Sequence, residues 1–228
     1  MSEEKEFKLA ASLIEALPYM HRFNKKVFVV KMGGEILKDK ELLKSALDDI
    51  SLLQTIGVNP VLIHTPGVRL NMTIVKALNA IGTRAVGLDV EDADVIHALL
   101  TDKVVPVLDP VSLNEDGELE EQNADKAAKE VAIRLQAEKL IILWDENGIY
   151  DEENKLQRSM TVMEARTLIN SEVKMDDQAR TAIEDSIYTL ARGVGKVHFL
   201  DGKREHGLLL ELFTDQGIGT EIYIQKED

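Results

Sequence analysis

The stretch Val27–Asp39 reads VFVVKMGGEILKD and combines a buried strand, a positive charge and a pair of glycines. Four apolar residues, typical of a buried strand, run directly into Lys31, and Gly33 and Gly34 follow. Glycines at a strand-to-helix turn let backbone N–H groups approach an anion, and a lysine at the strand end offers positive charge to a phosphoryl group. The stretch therefore predicts a phosphate-binding turn, with a plain helix entry as the alternative. It matches neither the Walker A nor the dinucleotide-binding motif.

Short apolar strands alternate with helical segments along the rest of the chain, as in a mostly parallel sheet covered on both faces. We predict an α/β fold, a three-layer αβα sandwich. We expect one domain over residues 1–228, with lobes of about residues 1–110 and 111–228. The predicted strands after the first are Val61–Ile63, Ala85–Leu88, Val104–Leu108, Leu140–Leu143, Lys196–Leu200 and Gly219–Ile224.

Two helix boundaries are predicted from individual residues. Residues 8–22 carry apolar side chains at helical spacing, and Pro18 is expected to kink or end that helix. Near the other end of the chain, Glu205–Phe213 is predicted to be helical.

Composition excludes several classes of function. The 228 residues are 44% hydrophobic, enough for a sizeable core, and the net charge of −14 opposes binding to nucleic acid or to an anionic membrane. The chain has no cysteine, so disulfides and thiolate chemistry are excluded. No apolar run approaches the roughly 20 residues of a membrane span, and the acidic start differs from a signal peptide. We expect a cytoplasmic protein whose partner is a small-molecule substrate or effector, without a metal site of its own.

Polar residues follow several of the predicted strands, where ligands of open α/β sheets bind. Asn123 and Asp125 open a helix, and the simplest interpretation is that Asn123 caps it and Asp125 complements its dipole, unless the fold brings Asp125 close to Lys31. Asp145 follows the Leu140–Leu143 strand and, taken alone, is a turn residue.

Three long runs resemble the amino acid kinase family, and within it the members that phosphorylate the γ-carboxylate of N-acetylglutamate. Residues 13–37 resemble the opening helix and the strand that ends in K-x-G-G. Residues 117–151 resemble the N-x-N-A-D-x-x-A helix and the following L-T-D-x-x-G turn, and residues 191–222 resemble the C-terminal region. The resemblance implies an amino acid kinase fold and the transfer of a phosphoryl group from Mg-ATP to a carboxylate.

The resemblance also implies roles for individual residues. Lys31 would stabilise the γ-phosphoryl group in flight, Asp125 would organise the catalytic lysines, and the backbones of Gly33, Gly34 and Gly67 would contact phosphate. On the donor side, Asp145 would lie beside the nucleotide. Asn123 would face the acceptor. The arginine with which the family grips the acceptor's carboxylate is missing here, and Arg69 is the candidate to take its place.

The sequence departs from the family pattern at several places. The second glycine loop, H-G-G-G in the family, reads HTPG at residues 64–67, so proline removes one N–H donor. The lid that follows this loop in the family is missing. The family's second phosphate lysine falls at Ala182, with Lys174 and Arg180 as nearby alternatives among acidic residues. These losses predict weak or absent kinase activity.

Two other functions stay open beside a weakened kinase. A regulatory homologue could bind arginine between the first helix and the C-terminal region, where His206, Glu211 and Gly217 match family positions near the effector, although packing of the last helix explains them too. A bare scaffold is the other alternative, and the family resemblance implies a homodimer.

Overall fold

The computed structural model describes residues 3–89, 93–114, 116–151, 153–171, 175, 177–214 and 217–225. Its strands are β1 Val27–Met32, β2 Asn59–His64, β3 Ala85–Asp89, β4 Val105–Asp109, β5 Val111–Leu113, β6 Leu119–Glu121, β7 Lys139–Trp144, β8 Ser159–Thr161, β9 Lys196–Asp201 and β10 Thr220–Tyr223. Eight of them form one sheet in the order β3-β4-β2-β1-β7-β9-β10-β8, and β5 and β6 form a separate hairpin. The six strands from β3 to β9 in that order are parallel, and β10 runs antiparallel to β9.

Helices cover both faces of this sheet. They are α1 Glu3–Phe23, α2 Lys40–Thr55, α3 Val68–Ala80, α4 Ala93–Thr101, α5 Ala124–Arg134, α6 Val162–Asn170, α7 Asp177–Leu190 and α8 Gly207–Leu212, with a short 3-10 helix at Gly34–Leu37. One apolar core joins the sheet to α2, α3, α8 and the end of α1, and the other joins it to α4, α5, α6 and α7. The prediction of a three-layer α/β sandwich with a mostly parallel sheet is therefore confirmed.

Alternating side chains of the central strand serve the two cores. Phe28 and Val30 of β1 pack on the α2 side, and Val29 packs on the α5 side. Lys31 follows on the α5 side, because successive strand residues point to opposite faces. This alternation decides which helices can share a site with that lysine.

Two expectations about local structure need correction, and one strand was not predicted. Pro18 does not end α1, which continues to Phe23, where the ring packs 5.1 Å from that of Phe28, centroid to centroid. The predicted helix at residues 205–213 is shorter, because His206 adopts a left-handed conformation (φ 53°) and the helix begins at Gly207. The edge strand β8 carries too weak an apolar pattern to be predicted. Among the described residues, no helix is long and apolar enough to cross a membrane.

Candidate active site

Lys31 and Asp125 meet at the carboxyl edge of the sheet. Lys31 is 8% exposed, and its Nζ lies 2.7 Å from Oδ1 of Asp125, whose side chain is 51% exposed. The fold thus brings Asp125 next to Lys31. This is the condition that the sequence analysis sets for a role of Asp125 beyond that of a charge at the start of a helix. Asn123 caps α5, since its Oδ1 accepts the N–H of Lys126 at 2.9 Å.

The side chain of Lys31 lies against Gly33, and the carboxylate of Asp145 lies against Gly34. A Cβ at Gly33 would lie 2.9 Å from Nζ of Lys31, so this glycine makes room for the ammonium group. Gly34 has φ +68°, and a Cβ there would lie 2.4 Å from both carboxylate oxygens of Asp145. Asp145 Oδ1 in turn accepts the N–H of Glu35 at 2.9 Å. The turn is therefore occupied in part by a carboxylate of the protein itself.

The second glycine turn is closed by a different carboxylate. The N–H of Gly67 donates to Oδ1 of Asp109 at 3.0 Å, and Oδ2 of Asp109 has no partner among the described residues. His64 is buried beside this turn, and its Nε2 lies 3.1 Å from Nδ2 of Asn71. Burial lowers the pKa of His64, so the ring is neutral at pH 7. Gly67 has no free N–H for a phosphate in this arrangement.

A cavity of about 630 Å³ opens from the Lys31–Asp125 pair and runs between α5 and α7. Its floor is the apolar face of β7 and β9, and its walls carry charged side chains, including Lys129, which forms an ion pair with Asp185. Ala182, at the position matched to the family's second lysine, lines the wall on α7. The volume is within the usual range of small-molecule sites.

The other cations considered for this site lie elsewhere. Arg180 donates from Nη1 to the carbonyl of Ile169 at 2.5 Å, at the end of α6. Arg69 is exposed on the first turn of α3, after the closed second turn. Lys174 lies outside the described residues. Lys126 and Lys129 on α5 are the lysines that accompany Lys31 in lining the cavity.

A second, smaller cavity of about 300 Å³ lies beside the end of α1 and contains a buried polar network. Nδ1 of His198 lies 2.8 Å from Oε1 of Glu211, and Nε2 lies 2.8 Å from Nζ of Lys139. Burial lowers the pKa of His198, so the neutral ring donates from Nδ1 to Glu211 and accepts at Nε2 from Lys139. Oε2 of Glu211 accepts the N–H groups of Ile218 and Gly219 at 2.7 and 3.1 Å.

Charge and burial shift the pKa values in this network strongly. Burial alone would raise the pKa of Glu211, but its hydrogen bonds to His198 and to two backbone N–H groups hold that pKa at about 2. Burial lowers the pKa of Lys139 to about 8. Arg22, Arg158 and Lys196 also line the cavity. The cavity is therefore lined by both cations and carboxylates.

The three residues considered for an effector site separate in the structure. Glu211 and Gly217 line the cavity beside α1, and a Cβ at Gly217 (φ +57°) would lie 2.6 Å from Oε2 of Glu211. His206 instead faces α2, with Nδ1 2.7 Å from Oδ1 of the buried Asp49. This hydrogen bond raises the pKa of His206, and burial raises that of Asp49.

Sequence reasoning missed several groups that the fold brings to these sites. Asp109 and Lys139 belong to β4 and β7 but fall just outside the predicted strands Val104–Leu108 and Leu140–Leu143, and the sequence assigns neither a role. His198 shows no metal-ligand spacing in the sequence, so its hydrogen bonds to Glu211 and Lys139 were not predicted. Trp144 follows the predicted strand Leu140–Leu143, and the sequence assigns it no role. The partners of Asp109 and Lys139 lie 42 and 59 residues away along the chain, so no local pattern signals these contacts.

A sequence profile of the amino acid kinase family matches residues 67–201, more than half of the chain. The acetylglutamate kinase of Aquifex aeolicus (strain VF5) is 30% identical over 292 aligned positions, which cover 95% of this chain and 98% of that enzyme. The acetylglutamate kinase of Synechococcus sp. (strain CC9311) is 35% identical over 271 positions, covering 91% and 95%. Both alignments are longer than the 228 residues of this chain, so these relatives contain internal segments that it lacks.

The solved structure of N-acetylglutamate synthase from Neisseria gonorrhoeae, complexed with coenzyme A and N-acetyl-glutamate, has a TM-score of 0.86 and 24% identity to this chain. It covers 96% of this chain, which spans 64% of the synthase. The same synthase complexed with coenzyme A and L-arginine has a TM-score of 0.81 and 22% identity, with 95% of this chain and 65% of the synthase covered. At these identities the likeness concerns the fold.

Proposed function

The chain belongs to the amino acid kinase family, and we propose that it binds Mg-ATP around Lys31 and Asp125 and slowly transfers a phosphoryl group to a carboxylate. The first acceptor to test is N-acetylglutamate, because relatives at 30–35% identity are acetylglutamate kinases. The observation that carries the proposal is the Lys31–Asp125 ion pair, held at the mouth of a large cavity beside two glycines.

Lys31 supplies the positive charge that phosphoryl transfer requires. Its ammonium group has three donors and one close carboxylate, so it can also contact a phosphoryl oxygen as negative charge shifts during transfer. Asp125 holds Nζ in position, and the missing side chain at Gly33 leaves the ammonium room. These groups position the reactants and balance charge without forming a covalent bond.

Magnesium fits this site as a companion of the nucleotide. Among the described residues, no group of three His, Asp or Glu side chains could hold a metal ion alone. Mg²⁺ is usually bound by one or two carboxylates together with substrate phosphates, and Asp125 and Asp177 are carboxylates that line this cavity. When bound there, Mg²⁺ would neutralise part of the phosphate charge.

The same geometry supports a low rate. The N–H of Gly67 is engaged by Asp109, and Ala182 offers no charge where the family has a lysine. Loss of one donor to the transition state typically costs about 10²–10³ in rate. Asp177 and Asp185 add negative charge to the same cavity, which opposes binding of a polyphosphate.

The test is trapping of the acyl phosphate as a hydroxamate, with N-acetylglutamate and Mg-ATP. We expect slow product formation that Lys31→Ala abolishes and that Ala182→Lys increases. Lys38→Ala is the matched control, because Lys38 is an exposed lysine paired with Glu35 after the turn. Product formation that is insensitive to Lys31→Ala, or no ATP-dependent rise in melting temperature, contradicts the proposal.

A second candidate function is the binding of a zwitterionic amino acid, arginine first, in the cavity beside α1. The observation in its favour is the meeting of Lys139, Arg158 and Lys196 with Glu211 and Glu221 around one space, so that an α-carboxylate and a cationic side chain both find partners. We expect arginine to raise the melting temperature and Arg158→Ala to abolish the rise. Citrulline, which lacks the side-chain charge, is the control ligand, and an equal rise with citrulline contradicts this candidate.

The third element of the proposal is pairing with a second copy. It is supported by the position of β3 at the edge of the sheet, with its residues half-buried or exposed. Light scattering is expected to give twice the chain mass of 25.4 kDa, and a monomer at micromolar concentration contradicts it.

A further inference from the structure

A cavity of about 600 Å³ opens at the amino edge of the sheet, the edge opposite to the one where Lys31 and Asp125 meet. It lies where β1, β2 and β4 begin, and the end of α4 borders it. The polar part of its lining consists mainly of two lysines, a histidine and three amides, which are Lys25, Lys103, His97, Asn24, Gln54 and Asn59. The volume is within the usual range of small-molecule sites.

The charge of this lining differs from that of the chain as a whole. The chain has 41 acidic residues against 27 lysines and arginines, yet no carboxylate is among the described residues that line the cavity. Lys25 and Lys103 are exposed, and neither forms an ion pair with a described residue, whereas the neighbouring Lys26 pairs with Glu138 at 3.4 Å. A cleft that carries charge of one sign attracts ligands of the opposite sign. The cavity therefore favours an anion.

The two lysines occupy matching places in the sheet. Lys25 precedes β1 by two residues, and Lys103 precedes β4 by two residues. Both strands pair with β2, which lies between them. Because neighbouring strands are about 4.8 Å apart, the backbones of the two lysines are about 10 Å apart across the start of β2. Two flexible lysine side chains can therefore reach the two ends of one ligand.

The segment between α2 and β2 holds the backbone of both lysines. Nδ2 of Asn59 donates to the carbonyl of Lys25 at 3.3 Å, and the N–H of Lys25 donates to the carbonyl of Gly57 at 2.6 Å. Nε2 of Gln54 donates to the carbonyl of Lys103 at 2.6 Å. Both lysines have left-handed backbone conformations, with φ of 63° and 55°. Glycine and asparagine adopt this conformation more readily, so lysine stands at two positions where the backbone favours other residues.

The rest of the lining is apolar and consists of Val27, Val58, Pro60, Leu100, Val104 and Val105, with Gly57 and Thr101 beside them. These side chains suit the carbon chain of an organic ligand, which inorganic phosphate lacks. We propose that the cavity binds a small dicarboxylate, with one carboxylate at Lys25 and the other at Lys103. The site is separate from the one around Lys31, and the proposal does not depend on the kinase activity proposed above.

NMR titration of the isotope-labelled full chain with glutarate tests the proposal, because each amide signal reports on its own position. The titration is carried out in about 0.1 M salt, where charges more than about 10 Å apart are largely screened. We expect saturable shifts of the amide signals of Lys25, Gly57 and Lys103, which Lys31→Ala leaves unchanged. Pentanoate has the same chain length and one carboxylate, and we expect it to bind at least about fivefold more weakly.

Two variants test the lysines individually. Lys25→Asn and Lys103→Asn each remove one charge and suit a left-handed backbone, so we expect both variants to fold. Each is expected to weaken glutarate about fivefold, and the double variant is expected to abolish detectable binding. Lys26→Gln is the matched control, because Lys26 is the next residue but does not line the cavity. We expect this control to change the affinity by less than about twofold.

Several outcomes would contradict the proposal. Shifts that do not saturate, or equal affinity for pentanoate, would show that no pair of carboxylates is recognised. An equal loss of affinity in Lys26→Gln would assign binding to the general charge of this edge. Variants that change stability but not affinity would show that Lys25 and Lys103 only complement the ends of α1 and α4. Binding of inorganic phosphate without glutarate would indicate a site for a compact anion and would also overturn the proposal.

Discussion

In the cavity between α5 and α7, Lys31 pairs with a carboxylate that is half exposed, whereas beside α1 Lys139 bonds to a histidine that is 2% exposed. The first cavity leaves a donor unpaired on Trp144, and the second satisfies both ring nitrogens of His198 and both oxygens of Glu211. A buried network whose polar groups are paired contributes to stability and specificity of the fold. Partly exposed charges beside an unpaired donor remain available to a ligand.

The largest effect is expected from Glu211→Ala, which tests whether the network beside α1 is part of the fold. The change leaves His198 and the N–H groups of Ile218 and Gly219 without their acceptor. Removing one partner of a buried charged network commonly costs about 3–5 kcal/mol. Urea unfolding measures the loss, with the exposed Glu184→Ala as control. A loss of unfolding free energy below about 1 kcal/mol would mean that the network beside α1 does not stabilise the fold, and the two cavities would then not differ in this respect.

The lowered pKa of Lys139 predicts that the free energy of unfolding depends on pH, with a somewhat smaller effect than that of Glu211→Ala. Its pKa is about 8 in the folded protein against 10.5 for an ordinary lysine. Between these values the unfolded chain binds more protons, so the free energy of unfolding rises with pH, by about 3 kcal/mol for this group alone. Thermal unfolding from pH 8 to 10.5 is expected to show the rise, and Lys139→Met to flatten it. An equal rise in the variant would assign the effect to other groups.

Gly34→Ala tests the contact between the first glycine turn and Asp145, and we expect it to lower stability by an intermediate amount. The positive φ alone costs about 1–2 kcal/mol, and the new Cβ also meets the Asp145 carboxylate. Gly82→Ala is the control for strain, since φ there is +89° and no atom lies within 4 Å of the added carbon. Chemical denaturation is expected to show the larger loss at Gly34, partly restored by combining Gly34→Ala with Asp145→Ala. Equal losses of stability in the two variants would mean that the Asp145 carboxylate moves away from the new Cβ at no cost.

Lys31→Ala is expected to change stability least of all. Because Asp125 is half exposed, the ion pair contributes less than about 1 kcal/mol, while the response to Mg-ATP should vanish. Melting temperatures with and without nucleotide separate the two effects. A large loss of stability without nucleotide would show that Lys31 is structural, like Lys139, and would contradict the distinction.

The sequence predicts the sheet well because β1, β2, β4 and β7 are continuous apolar runs, which only burial on both faces explains. It also predicts that Lys31 lies at the end of a strand and that Asp125 lies at the start of a helix. It does not predict the closure of the two glycine turns by Asp145 and Asp109. Those contacts join residues 110 and 42 positions apart, and their geometry depends on the packing of whole elements.

The network beside α1 is unpredictable for a related reason. His198 and Lys139 occupy strand positions where burial normally excludes polar side chains, and they are tolerated because Lys139 donates to His198 and His198 donates to Glu211. The family resemblance indicated Glu211 and Gly217, and the structure adds the groups that hold them. The resemblance indicated His206 as well, but that residue has a left-handed backbone conformation and its side chain bonds to Asp49.

The place of β1 in the sheet has a consequence for how the chain reaches its native state. β1 pairs with β2 on one side and with β7, more than a hundred residues later, on the other. Such distant pairing slows folding, because a long loop must close before the contacts form. During synthesis, one edge of β1 stays unpaired until β7 has emerged, and an unpaired strand edge exposes a partly folded chain to aggregation.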